Sequence, residues 1–77
     1  MNKPFVFETG GPIISAIKQD GNISVYFLQE DIIVNNTVWL VETGKEVEIE
    51  NGSKYLGTYK FFGDSFILHV FYKEMLG

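Results

Sequence analysis

Apolar and polar residues alternate along this chain in short segments that are separated by turn-forming residues. The segments recur roughly every eight to twelve positions and are rich in Val, Ile, Phe and Tyr, which is typical of strands rather than helices. The clearest turn signals are Asp20-Gly21, Asn51-Gly52 and Gly63-Asp64, because glycine accepts the positive φ that tight hairpin turns require. The pattern therefore predicts an all-β chain with short connections.

We predict six to seven short antiparallel strands in a single β domain over residues 1–77, folded as a small β-barrel or sandwich. These strands are drawn from eight candidate segments, of which Phe5–Phe7 and Ile32–Val34 are the shortest and carry the weakest strand signal. The others are Ile13–Gln19, Ile23–Gln29, Val38–Glu42, Glu46–Glu50 and the two strands of a terminal ribbon within Tyr55–Tyr72 that turns at Gly63-Asp64. A 3₁₀ turn or a short helix is the alternative for residues 30–34, and residues 73–77 are predicted to be one helical turn or a frayed end.

The terminal ribbon carries large apolar side chains on both of its faces. A domain of this length buries about one such face, so a second apolar face left in water would form a large exposed patch. We therefore expect a homo-oligomer that buries the second face, and the alternative is a surface that binds a host protein. The predicted interface residues are Phe62, Phe66, Leu68 and Tyr72.

Composition narrows the classes of function. The net charge is −4, and all six basic residues are lysines; without arginine, recognition of duplex nucleic acid is not expected. The absence of cysteine excludes disulfides, thiolate metal sites and thiol nucleophiles. No apolar run approaches the roughly 20 residues of a membrane-spanning helix, and the N-terminus does not resemble a signal peptide. We expect a soluble, cytoplasmic protein that does not bind membranes.

Candidate catalytic or metal-binding chemistry is sparse. His69 is the sole histidine, and the favoured interpretation is a hydrogen-bonded imidazole within or beside the core, with ligand contact as the alternative. Glu46, Glu48 and Glu50 share one face of a predicted strand, which indicates a solvated or edge-protecting face more than a cation site. Gly10-Gly11 and Thr43-Gly44-Lys45 are interpreted as turns. We predict no catalytic residue, no metal and no cofactor.

Several short motifs carry a resemblance that covers most of the chain. The segment Tyr55-Leu-Gly-Thr-Tyr59 is followed by His69-Val-Phe71, and upstream lie Gly11-Pro-Ile-Ile-Ser15, Gln19-Asp-Gly21 and Val25-Tyr-Phe-Leu28. Together they resemble a family of small, uncharacterised proteins of tailed phages and their bacterial hosts. Such proteins often read Thr-Gly-His where this chain has Thr43-Gly44-Lys45, so any role of a second histidine is lost or passes to lysine.

The resemblance implies a non-enzymatic accessory protein that acts in the host bacterial cell and counters host defence. Combined with the surplus of aromatic residues, it predicts an oligomer that sequesters a small anionic host ligand, such as a nucleotide immune signal. Aromatic rings would stack on a base, and lysines with turn amides would bind phosphate. The predicted ligand-binding residues are Trp39, Lys45, Lys54, Tyr55, Tyr59, Lys60 and His69. The alternative is a protein inhibitor that docks its aromatic or acidic face on a host enzyme.

Overall fold

The computed structural model describes residues 3–76, so Met1, Asn2 and Gly77 lie outside the described residues. Six strands are present in the described part, at β1 (Phe5–Thr9), β2 (Ile13–Gln19), β3 (Asn22–Phe27), β4 (Val34–Glu42), β5 (Lys54–Phe61) and β6 (Phe66–Leu76). They form a four-stranded antiparallel sheet in the order β1-β4-β6-β5 and a separate β2-β3 hairpin. The prediction of an all-β chain of antiparallel strands is confirmed, and the described residues contain six, the lower of the predicted numbers. The strands do not close into a barrel.

The β2-β3 hairpin forms at the predicted Asp20-Gly21 turn. Gln19 pairs with Asn22, which leaves two turn residues with φ values of 51° and 79°. Two successive positive φ values define the type I′ turn, whose twist matches that of the flanking strands. The hairpin is thus set by local sequence.

The hairpin packs over one face of the four-stranded sheet and forms the core there. On this face Val38 of β4 pairs with Tyr72 of β6, and both are buried with Val70 and with Ile13 from the hairpin. The alternation of side chains along β4 and β6 places these residues on the same side of the sheet. The predicted interface residue Tyr72 therefore lies in the core of the subunit.

Asn36 is the most buried polar residue of the sheet. The predicted strands Ile32–Val34 and Val38–Glu42 leave it in a connection between them, and this is wrong: it lies within β4 and is 0% exposed. Its amide nitrogen donates to the Phe7 carbonyl at 3.2 Å and to Thr9 Oγ1 at 3.0 Å. These bonds satisfy the buried amide nitrogen, whereas Oδ1 has no hydrogen-bond partner among the described residues.

The predicted strand Glu46–Glu50 is also wrong. Residues 45–50 have no strand assignment, because β4 and β5 are separated by β6 and their connection must cross that strand. The crossing segment, defined as residues 43–53, contacts the face of β6 opposite the hairpin, where Thr43 Oγ1 lies 2.8 Å from His69 Nε2. Farther along, Lys73 Nζ lies 3.4 Å from Glu50 Oε1. The alternation seen in the sequence survives as exposed glutamates and half-buried Val47 and Ile49.

Two smaller predictions also differ from the structure. Ile32 and Ile33 belong to neither a strand nor a helix, and Val34 begins β4 instead. The segment after Tyr72 continues β6 to Leu76, which pairs with Val34, so it is not a helical turn. β6 extends this far because β4 is long enough to pair with residues 73–76.

Candidate binding cleft

An open apolar cleft of about 480 Å³ lies between the tip of the hairpin and the sheet. This volume falls within the range of small-molecule sites. The lining combines aromatic and aliphatic side chains with the backbone of the hairpin turn. Its residues are Phe5, Phe7, Gly21, Asn22, Ile23, Val25, Val38, Leu40, Phe61, Phe62, Phe66 and Leu68.

The cleft exists because the hairpin is anchored to the sheet along one side. Tyr59 of β5 donates its hydroxyl hydrogen bond to the Ala16 carbonyl of β2 at 2.7 Å. Burial of this ring, together with nearby Tyr55, raises the Tyr59 pKa above its usual value near 10. Among the described strands, β3 pairs with β2 and β1 pairs with β4, so no backbone ladder joins β1 to β3. The cleft opens between these two strands.

Alternation along the strands gives the cleft its apolar walls. Ile23 and Val25 of β3 face it from the hairpin, and Phe5 and Phe7 of β1 face it from the sheet. Residues two apart on a strand share a face, so each wall is built from an alternating pair.

One cation lies beside the cleft. Lys18 Nζ is 5.0 Å from the centroid of the Phe61 ring and donates to the Lys60 carbonyl. Lys18 also pairs in register with Ile23 of the cleft wall. Lys60 Nζ is 3.6 Å from Asp64 Oδ1, which offsets its charge. The cleft is therefore apolar inside, with Lys18 available at its border.

His69 belongs to a polar cluster on the opposite face of the sheet. Its Nδ1 lies 2.9 Å from Thr58 Oγ1 and its Nε2 lies 2.8 Å from Thr43 Oγ1, and the Thr58 hydroxyl is also hydrogen-bonded to Tyr55. Each hydroxyl can donate one hydrogen bond and accept another, so the imidazole is satisfied in either tautomer. The histidine tethers the crossing segment to β6.

The predicted ligand-binding residues do not converge on one site. Trp39 is 5% exposed and pairs with Phe71 on the His69 face, where the crossing segment covers the sheet. Lys45 is exposed in the turn after β4. Lys54 lies on the core face, 3.8 Å from Glu74 Oε1. Tyr55 and His69 share one cluster, whereas Tyr59 lies on the other side of the sheet.

Three of the four predicted interface residues do come together. Phe62, Phe66 and Leu68 line the cleft at the end of the terminal ribbon. Sequence reasoning identified them as a surplus apolar face but did not identify Lys18 or the walls from β1 and β3. The alternation in Phe5-Val-Phe7 and Ile23-Ser-Val25 was the available signal.

Neither the known protein families, nor curated proteins, nor solved structures match this chain. Over residues 3–76, no group of three or more His, Asp or Glu side chains is placed to hold a metal ion. The same residues include no helix that is long and apolar enough to cross a membrane.

Proposed function

We propose that this chain is a non-enzymatic, phage-type accessory protein that oligomerises and sequesters a small host-derived ligand in the apolar cleft. The observation that carries the proposal is the aromatic lining of this cleft, next to the Lys18 cation. Most of the affinity would come from removing apolar surface from water, at about 25 cal/mol per Å².

The cleft favours a ligand with a flat apolar ring and one anionic group. The rings of Phe5, Phe61 and Phe66 offer stacking partners, and base–aromatic stacking contributes about 1–3 kcal/mol per base. An anionic group at the border would meet Lys18. A nucleotide signal satisfies both requirements, with its base inside the cleft and its phosphate outside.

The test uses two fluorescent probes that share an anilinonaphthalene skeleton, the anionic 8-anilinonaphthalene-1-sulfonate and the neutral N-phenyl-1-naphthylamine. Both should bind the native protein at one site per cleft, with near-ultraviolet circular dichroism from Trp39 unchanged. Leu40→Trp should block both probes because it fills the cleft. Tyr26→Trp is the matched control, since Tyr26 is exposed on the hairpin and does not line the cleft.

Charge is tested separately with Lys18→Gln. This variant should weaken binding of the sulfonate and leave that of the neutral probe unchanged, because Lys18 acts on the anionic group alone. Mono- and dinucleotides are then tested as competitors of the sulfonate. Probe binding that is equal in Leu40→Trp and in Tyr26→Trp would contradict the cleft as the site, and the absence of competition by any nucleotide would contradict a nucleotide ligand.

A second candidate is a protein inhibitor that acts on a host enzyme. The observation that favours it is the exposed apolar outer surface of the hairpin, which includes Ile14, Ile17 and Tyr26, together with the exposed carboxylates of Glu46 and Glu48. Affinity capture from host lysate should then give a stoichiometric protein partner that Ile17→Lys loses and Leu40→Trp retains. The reverse pattern would contradict this candidate.

A further inference from the structure

The two edges of the four-stranded sheet differ in how they are protected. The β5 edge carries Lys54 and Lys60, has an irregular register between Tyr55 and Gly57, and approaches β2 of the hairpin. Charges, bulges and covering elements are the usual means of preventing an edge strand from pairing. The β1 edge has no irregularity in its register, and its one charged residue is Glu8 near its end.

Two of the three apolar residues of β1 project into water, and Phe7 is half-buried. Phe5 is 57% exposed and Val6 is 72% exposed, so both faces of this edge strand present apolar surface. The hairpin strand β3 has no charged residue, but Ile23, Ser24 and Val25 are half-buried. Of these two edges, β1 therefore has more apolar surface to gain from a partner strand.

The solvent-accessible surface of the subunit is larger than that expected for a compact monomer, which agrees with an interface left open. A compact monomer of 8.8 kDa is expected to expose about 4,800 Å², whereas this subunit exposes 5416 Å². The excess of about 600 Å² approaches the ~800 Å² that each partner contributes to a standard interface. Within residues 3–76, only one edge of the four-stranded sheet is unprotected, and an isologous contact between two copies needs only one exposed patch. A second copy of this chain is therefore the partner that fits this edge.

We propose that two copies pair antiparallel through β1, about a twofold axis at Val6, to give a continuous eight-stranded sheet. The two Val6 side chains then meet on one face. On the other face, Phe5 of one copy lies across from Phe7 of the second copy, at the mouth of the cleft between β1 and β3. This assembly rests on the proposed function in one respect only: the second copy supplies part of the wall of the ligand site.

The absence of cysteine makes a crosslinking test direct. Residues that face each other across a twofold axis on antiparallel strands have Cα atoms about 4.5–5.5 Å apart, which is within disulfide reach. Val6→Cys should therefore form a disulfide-linked dimer under mild oxidation. Tyr26→Cys and Ser24→Cys, both on β3 of the hairpin, should remain monomeric on denaturing gels. Crosslinking of either hairpin variant in preference to Val6→Cys would overturn the proposal.

Sedimentation equilibrium of the uncrosslinked chain gives the second test. Val6→Lys should raise the dimer Kd at least about tenfold, because it places like charges opposite each other at the seam, while Ile17→Lys leaves the Kd unchanged. Val6 is exposed, so the subunit should keep its thermal stability at low concentration. A wild-type chain that is monomeric at millimolar concentration would also overturn the proposal.

These measurements test the proposed dimer and the proposed ligand site independently. If Val6→Lys is monomeric and binds N-phenyl-1-naphthylamine more weakly, the second copy contributes to the cleft, as proposed. If the monomer binds the probe with unchanged affinity, the shared wall is contradicted, while the cleft itself stands. Failure of the probe to bind either form contradicts the proposed function and leaves the crosslinking result valid.

Discussion

The hydroxyl of Tyr59 donates to the carbonyl oxygen of Ala16 at 2.7 Å, and this bond joins the hairpin to the four-stranded sheet. The two residues are 43 positions apart, so the contact fixes the placement of one sheet relative to the other. Because the hairpin forms one wall of the cleft, this hydrogen bond also sets the width of the cleft.

Tyr59→Phe should lower the free energy of unfolding by about 1 kcal/mol, because the Ala16 carbonyl loses its donor while the ring is kept. Urea denaturation followed by Trp39 fluorescence measures the change. Tyr26→Phe, which removes an exposed hydroxyl, should be neutral. An equal loss in the two variants would show that the Tyr59 bond contributes no more than a surface hydroxyl.

The raised pKa of Tyr59 predicts a loss of stability in alkali. Burial, followed by the nearby Tyr55, disfavours the phenolate, so above about pH 10 the unfolded chain releases this proton before the folded chain does. The free energy of unfolding should therefore fall as the pH rises from 10 through the folded-state pKa. The slope should be shallower in Tyr59→Phe and unchanged in Tyr26→Phe. Parallel slopes in all three proteins would contradict this assignment.

Asn36→Asp should destabilise the fold by more than about 2 kcal/mol at neutral pH, because it buries a carboxylate against carbonyl oxygens that now accept from the amide. Burial raises the pKa of such a carboxyl. Relative to wild type, the loss should therefore be small below about pH 4 and grow as the pH rises. Asn35→Asp, half-buried on the other face of β4, is the control. A pH-independent loss would point to packing instead of charge.

Phe62 should affect stability and binding in opposite directions. Its φ of 54° lies in the left-handed region, although the side chain is 84% exposed; a non-glycine residue held there costs on the order of 1 kcal/mol. Asparagine tolerates this conformation, so Phe62→Asn should raise the free energy of unfolding by roughly 0.5–1 kcal/mol. The same variant should weaken probe binding, since Phe62 lines the cleft. Phe62→Leu, which keeps the strain, should not gain stability.

Local signals in the sequence are sufficient to predict most of the strands and the hairpin turn. Asp20-Gly21 and Gly63-Asp64 mark reversals through backbone preference alone, and the apolar alternation on β2, β3 and the terminal ribbon identifies strands. The failures arise from tertiary contacts. Asn36 is held in β4 by hydrogen bonds to the Phe7 carbonyl and the Thr9 hydroxyl of β1. The alternating Glu46–Glu50 segment finds no partner strand because the chain crosses β6 there.

The candidate site was harder to predict from the sequence than the strands, because it too depends on tertiary contacts. Lys18 and Phe61 are far apart in the sequence and adjacent in space, and the cleft depends on which edge of the hairpin approaches the sheet. Alternation identifies which side chains share a strand face, but it does not show which strands face each other. The sequence therefore identifies the terminal ribbon as the place where excess aromatic residues lie, but it does not predict the cleft that they line.

The position of β6 within the sheet has a consequence for the order of folding. It is the last of the described strands and yet lies between β4 and β5, pairing with both. During synthesis no strand joins β4 to β5 until residues 66–76 have emerged. The hairpin can form early from local contacts, whereas the four-stranded sheet is completed in a later step, dominated by pairings that are distant along the chain.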